Sequence, residues 1–325
     1  MELFMNNINK ALSLTLAAIV SMPTLAANIN TDDFSFGGRV EARAALADSD
    51  FNDKSRVRFG GQGKHEINEA LTAVGKFEYE FTQADSGADT EVENNIRYGY
   101  VGVETTHGTL TYGTQDNAVT YLTNFTDVAE VYSGYTNESI NASGDRAKDT
   151  VLYSVAKGDL TFNASANLTE NEKGGGLMAA YKLLPSVEVS AGYAATEGLD
   201  ARDSSVYDDT KTSDVYMIGA RYTQDTILVS GLVQKGTLGD TDFDAVDAFA
   251  SYGFGENKVS VSYNYFSAEE QDTLDVNFVA FEYGRYIGDV AAYAGYKVAL
   301  NNDTSAGSGN NKNADEFIVG ARYSF

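Results

Sequence analysis

The chain has 325 residues, no cysteine, no tryptophan and two prolines, and it carries a formal net charge of −24 beside 31 glycines, 21 tyrosines and 17 phenylalanines. Without cysteine there is no disulfide framework and no thiolate ligand or nucleophile, and so acidic a chain offers no basic face to nucleic acid. A mean hydropathy of −0.28 suits a soluble protein, but it suits equally well a set of strands of which only every second residue meets lipid.

Residues 1–26 stand apart. Lys10 precedes the apolar run from Ala11 to Val20, Pro23 breaks the run, and Thr24, Leu25, Ala26 and Ala27 follow. A basic start, a short apolar centre and a small-residue end predict a cleaved signal peptide, cut after Ala26 or Ala27, with 27–325 as one mature domain. The run is too short for a spanning helix, and no later stretch reaches the required length and apolarity. If the mature chain lies in a membrane, it crosses as a closed barrel, because only helices and closed barrels satisfy every backbone group in lipid.

Alternation with a period of two dominates the rest. Phe34, Phe36, Gly38, Val40, Ala42, Ala44 and Leu46 form one face, with Arg39, Glu41 and Arg43 on the other. Val57, Phe59, Gly61 and Gly63 alternate with Arg56, Arg58, Gln62 and Lys64; Leu71 to Phe81 alternates with Thr72, Lys76, Glu78 and Glu80. The pattern returns at 160–169, 187–195, 259–265 and 290–300, whereas the faces of Asp275–Tyr286 cannot be assigned from parity. Connections come in two sizes. Short ones lie near 67–70, 105–108, 157–159, 184–186, 255–257 and 287–289; long polar ones span 82–93, 121–149, 196–211, 236–244 and 301–315. Short turns at one end and long loops at the other predict an all-β, transmembrane antiparallel barrel of about 16 strands. Tyr98, Tyr100, Tyr112, Tyr153, Tyr222 and Tyr323 read as an aromatic girdle near strand ends. A soluble β-sandwich is the competing fold, but its packed interior would not tolerate repeated Arg, Lys and Glu.

The chain ends in Tyr323-Ser-Phe325, which resembles the assembly signal of outer-membrane barrels. The segments Ser55–Asn68, Leu71–Tyr79, Arg97–Gly102 and Gly108–Gly113 resemble the second to fifth strands of the gamma-proteobacterial general porins, the OmpF/OmpC/OmpU type. That resemblance implies a passive channel for small hydrophilic solutes and ions in the outer membrane of a Gram-negative bacterium. It further implies a homotrimer among lipopolysaccharide and outer-membrane lipid, inserted by the barrel assembly machinery, with no cofactor and no enzymatic activity. The family's third extracellular loop folds into the barrel, where its acids face wall arginines. On that pattern Asp127 and Glu130 are the loop acids, and Arg39, Arg58 and Arg146 are the wall cations. Thr114 stands where the family often has an arginine, which predicts a weaker positive wall and a mild cation preference. Guanidinium groups remain charged at all relevant pH, and opposed rings of charge at a waist select ions by sign.

Other readings are a surface adhesin or phage-receptor barrel and an oligosaccharide-selective channel, although no inward aromatic stripe is evident. Catalysis lacks its residues: His65 and His107 both sit beside short turns without convergent partners. Gly60–Lys64 lacks the spacing and Ser/Thr of a phosphate loop, and Asp240–Asp244 lacks the Gly and distal Glu of a calcium loop. The latter segment reads as a solvated loop tip.

Overall fold

The computed structural model describes residues 33–47, 50–83, 92–136, 142–170, 173–197, 212–269, 275–300 and 314–325. The predicted signal peptide and parts of the predicted long loops lie outside these residues. Seventeen strand segments form one sheet. Asp50–Asp53 and Arg56–Asn68 both pair with the first strand in one register, Ala44 with Asp53 and Glu41 with Arg56, and so count as a single wall strand.

The sixteen strands are β1 (Phe34–Ala47), β2 (Asp50–Asp53 with Arg56–Asn68), β3 (Leu71–Gln83), β4 (Val92–Thr105), β5 (Gly108–Asp116), β6 (Arg146–Lys157), β7 (Leu160–Asn167) and β8 (Gly174–Leu184), then β9 (Val187–Glu197), β10 (Thr212–Gln224), β11 (Ile227–Leu238), β12 (Thr241–Phe254), β13 (Asn257–Ala268), β14 (Val276–Ile287), β15 (Val290–Ala299) and β16 (Glu316–Ser324). Each pairs antiparallel with its neighbours in sequence. β16 returns to β1 with Glu41 opposite Arg322, and Gly38 and Phe325 exchange backbone hydrogen bonds of 2.9 and 3.0 Å. The ring is closed, with no sheet edge left to satisfy.

The outward face is the apolar one. Val40, Val101, Leu177, Ile218, Val233 and Phe281 are exposed, Ile218 at 69%, as a lipid-facing belt requires. Two-residue turns close one end; Gly158, Gly255 and Gly288 sit at φ near +60° there, where a side chain is disfavoured.

Two expectations need correction, and one open assignment is settled. The segment 236–244 is no long loop: β11 runs to Leu238 and β12 starts at Thr241, joined by a turn with Gly239 at φ +64°. Alternation persists through it, with Leu238 and Phe243 buried on the inside, and this in-phase pattern holds the strands paired. Tyr98 and Tyr100 do not belong to a girdle. The β3–β4 register slips between Glu78, paired with Tyr98, and Tyr79, paired with Ile96. Arg97 is the bulged residue, so that Arg97 and Tyr98 both face inward. A bulge of this kind re-aims side chains against simple parity. The ambiguous β14 resolves with Phe278, Ala280 and Glu282 buried inside and Phe281 and Tyr283 exposed outside.

Candidate pore constriction

The chain between β5 and β6 does not stay outside the barrel. It turns inward after Asp116 and forms a single helical turn, α1 (Thr120–Thr123). Ala118 N–H donates to Ser165 Oγ on β7 at 3.0 Å. Val119 and Leu122 are fully buried among Met178, Ala194, Met217 and Leu232 of the inner wall, and Phe125 is fully buried beside Gly219. Glycines clear the way: a Cβ on Gly192 would sit 3.0 Å from Val119, and one on Gly219 3.3 Å from Phe125. Below the turn, Tyr121 donates to Glu188 at 2.5 Å, Arg221 pairs with the same carboxylate at 2.6 Å, and Arg221 lies 4.5 Å over the Phe125 ring.

The segment then runs on to β13, β14 and β16. Glu282 on β14 accepts three consecutive backbone N–H groups, from Glu130 (2.8 Å), Val131 (2.9 Å) and Tyr132 (2.6 Å). Tyr132 is fully buried; its hydroxyl donates to Glu316 at 2.9 Å, and its carbonyl accepts from Ser262. Tyr135 stands edge-on to Phe278 at 5.0 Å, and its N–H donates to Asn264.

At the tip, Arg322 on β16 grips the Glu130 carboxylate at 2.5 and 3.3 Å, and Tyr286 donates to it at 2.7 Å. The Glu130 carbonyl accepts from Arg43 at 3.1 Å. Burial pushes the Glu130 carboxyl upward, but Arg322 and its hydrogen bonds outweigh burial and hold it below the usual carboxylate range. Asp127 is exposed and accepts from Ser133 at 3.4 Å.

The tip thereby meets a wall of charge on β16 and β1 to β6. Glu41, 1% exposed, accepts from Arg56 (2.5 Å), Arg43 (3.2 Å) and Tyr293 (2.6 Å). Arg58 pairs with Glu80, and Arg97 reaches Glu78 at 2.9 Å and Glu80 at 3.3 Å. Arg39 faces Arg58 directly across the β1–β2 pair. Its Nε is buried without a hydrogen-bond partner, within electrostatic range of Arg56, Glu41, Arg322 and Glu130. Arg146 is held by Asp116 at 3.1 Å and lies 4.6 Å over the Tyr98 ring. Of the five residues expected at the waist, Glu130 and Arg39 therefore share one cluster, Arg58 adjoins it, Arg146 sits against Asp116, and Asp127 lies on the exposed side of the loop. Reading by position passed over Arg43, Arg56, Arg97, Glu282, Tyr286, Tyr293 and Arg322. Parity alone puts Arg43, Arg56 and Arg322 on inner faces, so their signal was available; Arg97 was hidden by the bulge.

A closed barrel with an apolar belt, a charged inner wall and a peptide segment folded inside is a transmembrane channel. The Gram-negative porin family profile matches residues 13–325, and the chain belongs to that family. It is 32% identical to a porin-like protein L of Photobacterium profundum, over 97% of this chain and 98% of that one. It is 29% identical to outer membrane protein U of Vibrio parahaemolyticus, over the same shares. Its fold matches OmpF of Salmonella typhi, solved with daunomycin, at a TM-score of 0.78 and 18% identity over 90% of this chain and 97% of that one. The trimer form of OmpT from Vibrio cholerae matches at 0.69 and 18% identity, over 90% and 99%. The protein is a general diffusion channel of the Gram-negative outer membrane and is not an enzyme.

Proposed function

We propose that the segment 117–136 forms the waist of the pore, with Asp127 and Glu130 facing Arg39, Arg58 and Arg322, and that small hydrophilic solutes pass with a mild preference for cations. The observation that carries this is the three-amide grip of Glu282 on the loop tip, which supports the reading because it fixes Glu130 beside Arg322. Within the waist the two acids divide the work. Glu130 is neutralised by Arg322 and acts mainly as a tether; Asp127, exposed to the lumen, supplies most of the negative field. The cation preference also draws on the net charge of −24 and on Thr114. Arg146 stays in this reading as a wall cation damped by Asp116.

In the same reading residues 1–26 are a cleaved signal peptide, and Tyr323 and Phe325 carry the assembly signal for the barrel assembly machinery. The mature barrel is a homotrimer embedded in lipopolysaccharide and lipid, a reading supported by the trimeric OmpT neighbour.

Planar bilayers under a salt gradient test the waist. The wild type should give a cation-selective reversal potential and three-step openings. Asp127→Asn should move the potential toward anions more than Glu130→Gln does. An unchanged potential in the double variant would remove both acids from the waist.

A further inference from the structure

We propose that Asp247 binds a small monovalent cation, Na+ or K+, in the seam between the loop and the wall. The site lies between the loop and the inner faces of β11 to β13, and stands whether or not the waist selects cations. Asp247 is on the inner face of β12, opposite Leu232 of β11 and Asn264 of β13, and is 1% exposed.

Its partners fix the direction of a hydrogen-bond chain. Gln234 Nε2 donates to Thr136 Oγ1 at 2.8 Å, so the Thr136 hydroxyl is free to donate onward, and it donates to Asp247 Oδ2. Asp247 Oδ1 is left buried with no partner. One further oxygen on the same patch of wall is also buried without a partner, Ser230 Oγ; the nearby unpartnered Asn264 Nδ2 is a donor and not a ligand. The Asn264 orientation is set by Tyr135, whose N–H its Oδ1 accepts. Ser230 is 6% exposed and sits two residues before Leu232, diagonal to Asp247.

The charge is equally unbalanced. Thr136 and Asp127 approach from the loop, Ser230 and Gln234 from β11, and Asn264 from β13. The other charge acting on Asp247 is that of Asp127, which is of the same sign, and no Lys or Arg of the described residues pairs with it. A carboxylate withdrawn from water needs a counter-charge. The ligands on offer are hard oxygens, the Asp247 carboxylate and the Ser230 hydroxyl. One carboxylate balances one positive charge, whereas a divalent ion would leave an uncompensated positive charge in the buried seam. The lumen supplies alkali cations continuously.

Crystals of the full chain grown with Rb+ in place of Na+ and K+ test the site. An anomalous peak in contact with Asp247 Oδ1 is expected, falling to noise in Asp247→Asn and weakening in Ser230→Ala. A wild-type seam without the peak overturns the proposal in favour of a protonated carboxyl or a bound water. A second measurement needs no variant to fold. The wild-type melting temperature should rise when K+ replaces N-methylglucamine at constant ionic strength, and an unchanged temperature overturns the proposal equally.

Discussion

The inner wall is divided into two sectors that share one outer face. From β16 through β6 the inward residues are Arg39, Glu41, Arg43, Arg56, Arg58, Lys76, Glu78, Glu80, Arg97, Asp116, Arg146 and Arg322, a lattice of ion pairs bordering the lumen. From β8 through β14 they include Met178, Ala180, Ala194, Val215, Met217, Leu232 and Phe278, all buried. Water can line the first sector and would be a poor neighbour for the second. Apolar side chains inside an aqueous barrel are stable only when something covers them, and here the cover is Val119, Leu122, Phe125, Tyr132 and Tyr135. The loop therefore lies where it does for the reason a helix packs on a sheet, and its charged tip is delivered to the opposite sector as a consequence.

The strongest test of that division removes the grip that holds the loop on its own sector. Glu282→Ala leaves three loop N–H groups without their acceptor, on the order of 3–9 kcal/mol if none finds water. The expected result is a lower melting temperature together with a larger, noisier single-channel conductance. A quiet channel of wild-type conductance would mean that the loop is held by its apolar contacts alone. Leu232→Ala probes those contacts and should cost about 2–4 kcal/mol, read by thermal unfolding. Val40→Ala, on the lipid face of the charged sector, should cost less, since its side chain is half exposed and exchanges one apolar contact for lipid. Equal losses would erase the distinction between covered and uncovered sectors.

Charge removal sharpens the comparison within the first sector. Arg39 has no hydrogen bond at Nε, whereas Arg146 is neutralised by Asp116. Arg39→Gln should therefore shift the reversal potential toward cations by more than Arg146→Gln. The opposite order would locate the uncompensated positive charge near Asp116.

The difference between the sectors also explains how far the sequence could be read. Alternation revealed the outer belt because lipid demands the same chemistry of every strand, and it revealed the charged inner faces because Arg39-x-Glu41-x-Arg43 cannot face lipid. It failed on β14, where Val276, Phe278 and Ala280 face the loop while Val279, Phe281 and Tyr283 face outward, so both faces are apolar. It failed at Arg97 because one bulged residue shifts the phase without altering composition. Glu130 was legible through resemblance; its partner Arg322 lies 192 residues away, and only ring closure of β16 on β1 brings the two together. Glu282 gave no signal at all, since a carboxylate that caps loop amides looks in sequence like any other inner-wall acid.

The smallest expected effect concerns the tip itself and depends on pH. The Glu130 carboxyl is held below its ordinary value of 4.5 by Arg322 in spite of burial. A depressed carboxylate contributes stability that is fully present above its unfolded value and is lost as pH falls through the folded one. The contact of Glu130 with Arg322 and Tyr286 should thus persist unchanged at neutral pH and through the usual carboxylate range, and weaken only below it. Because three amides remain on Glu282, losing this one contact should loosen the tip without releasing the loop. Conductance recorded at stepwise lower pH should show an acid transition in the wild type that is absent from Glu130→Gln. If both channels change together, the titrating group lies elsewhere in the charged sector, and Glu130 does not link the two.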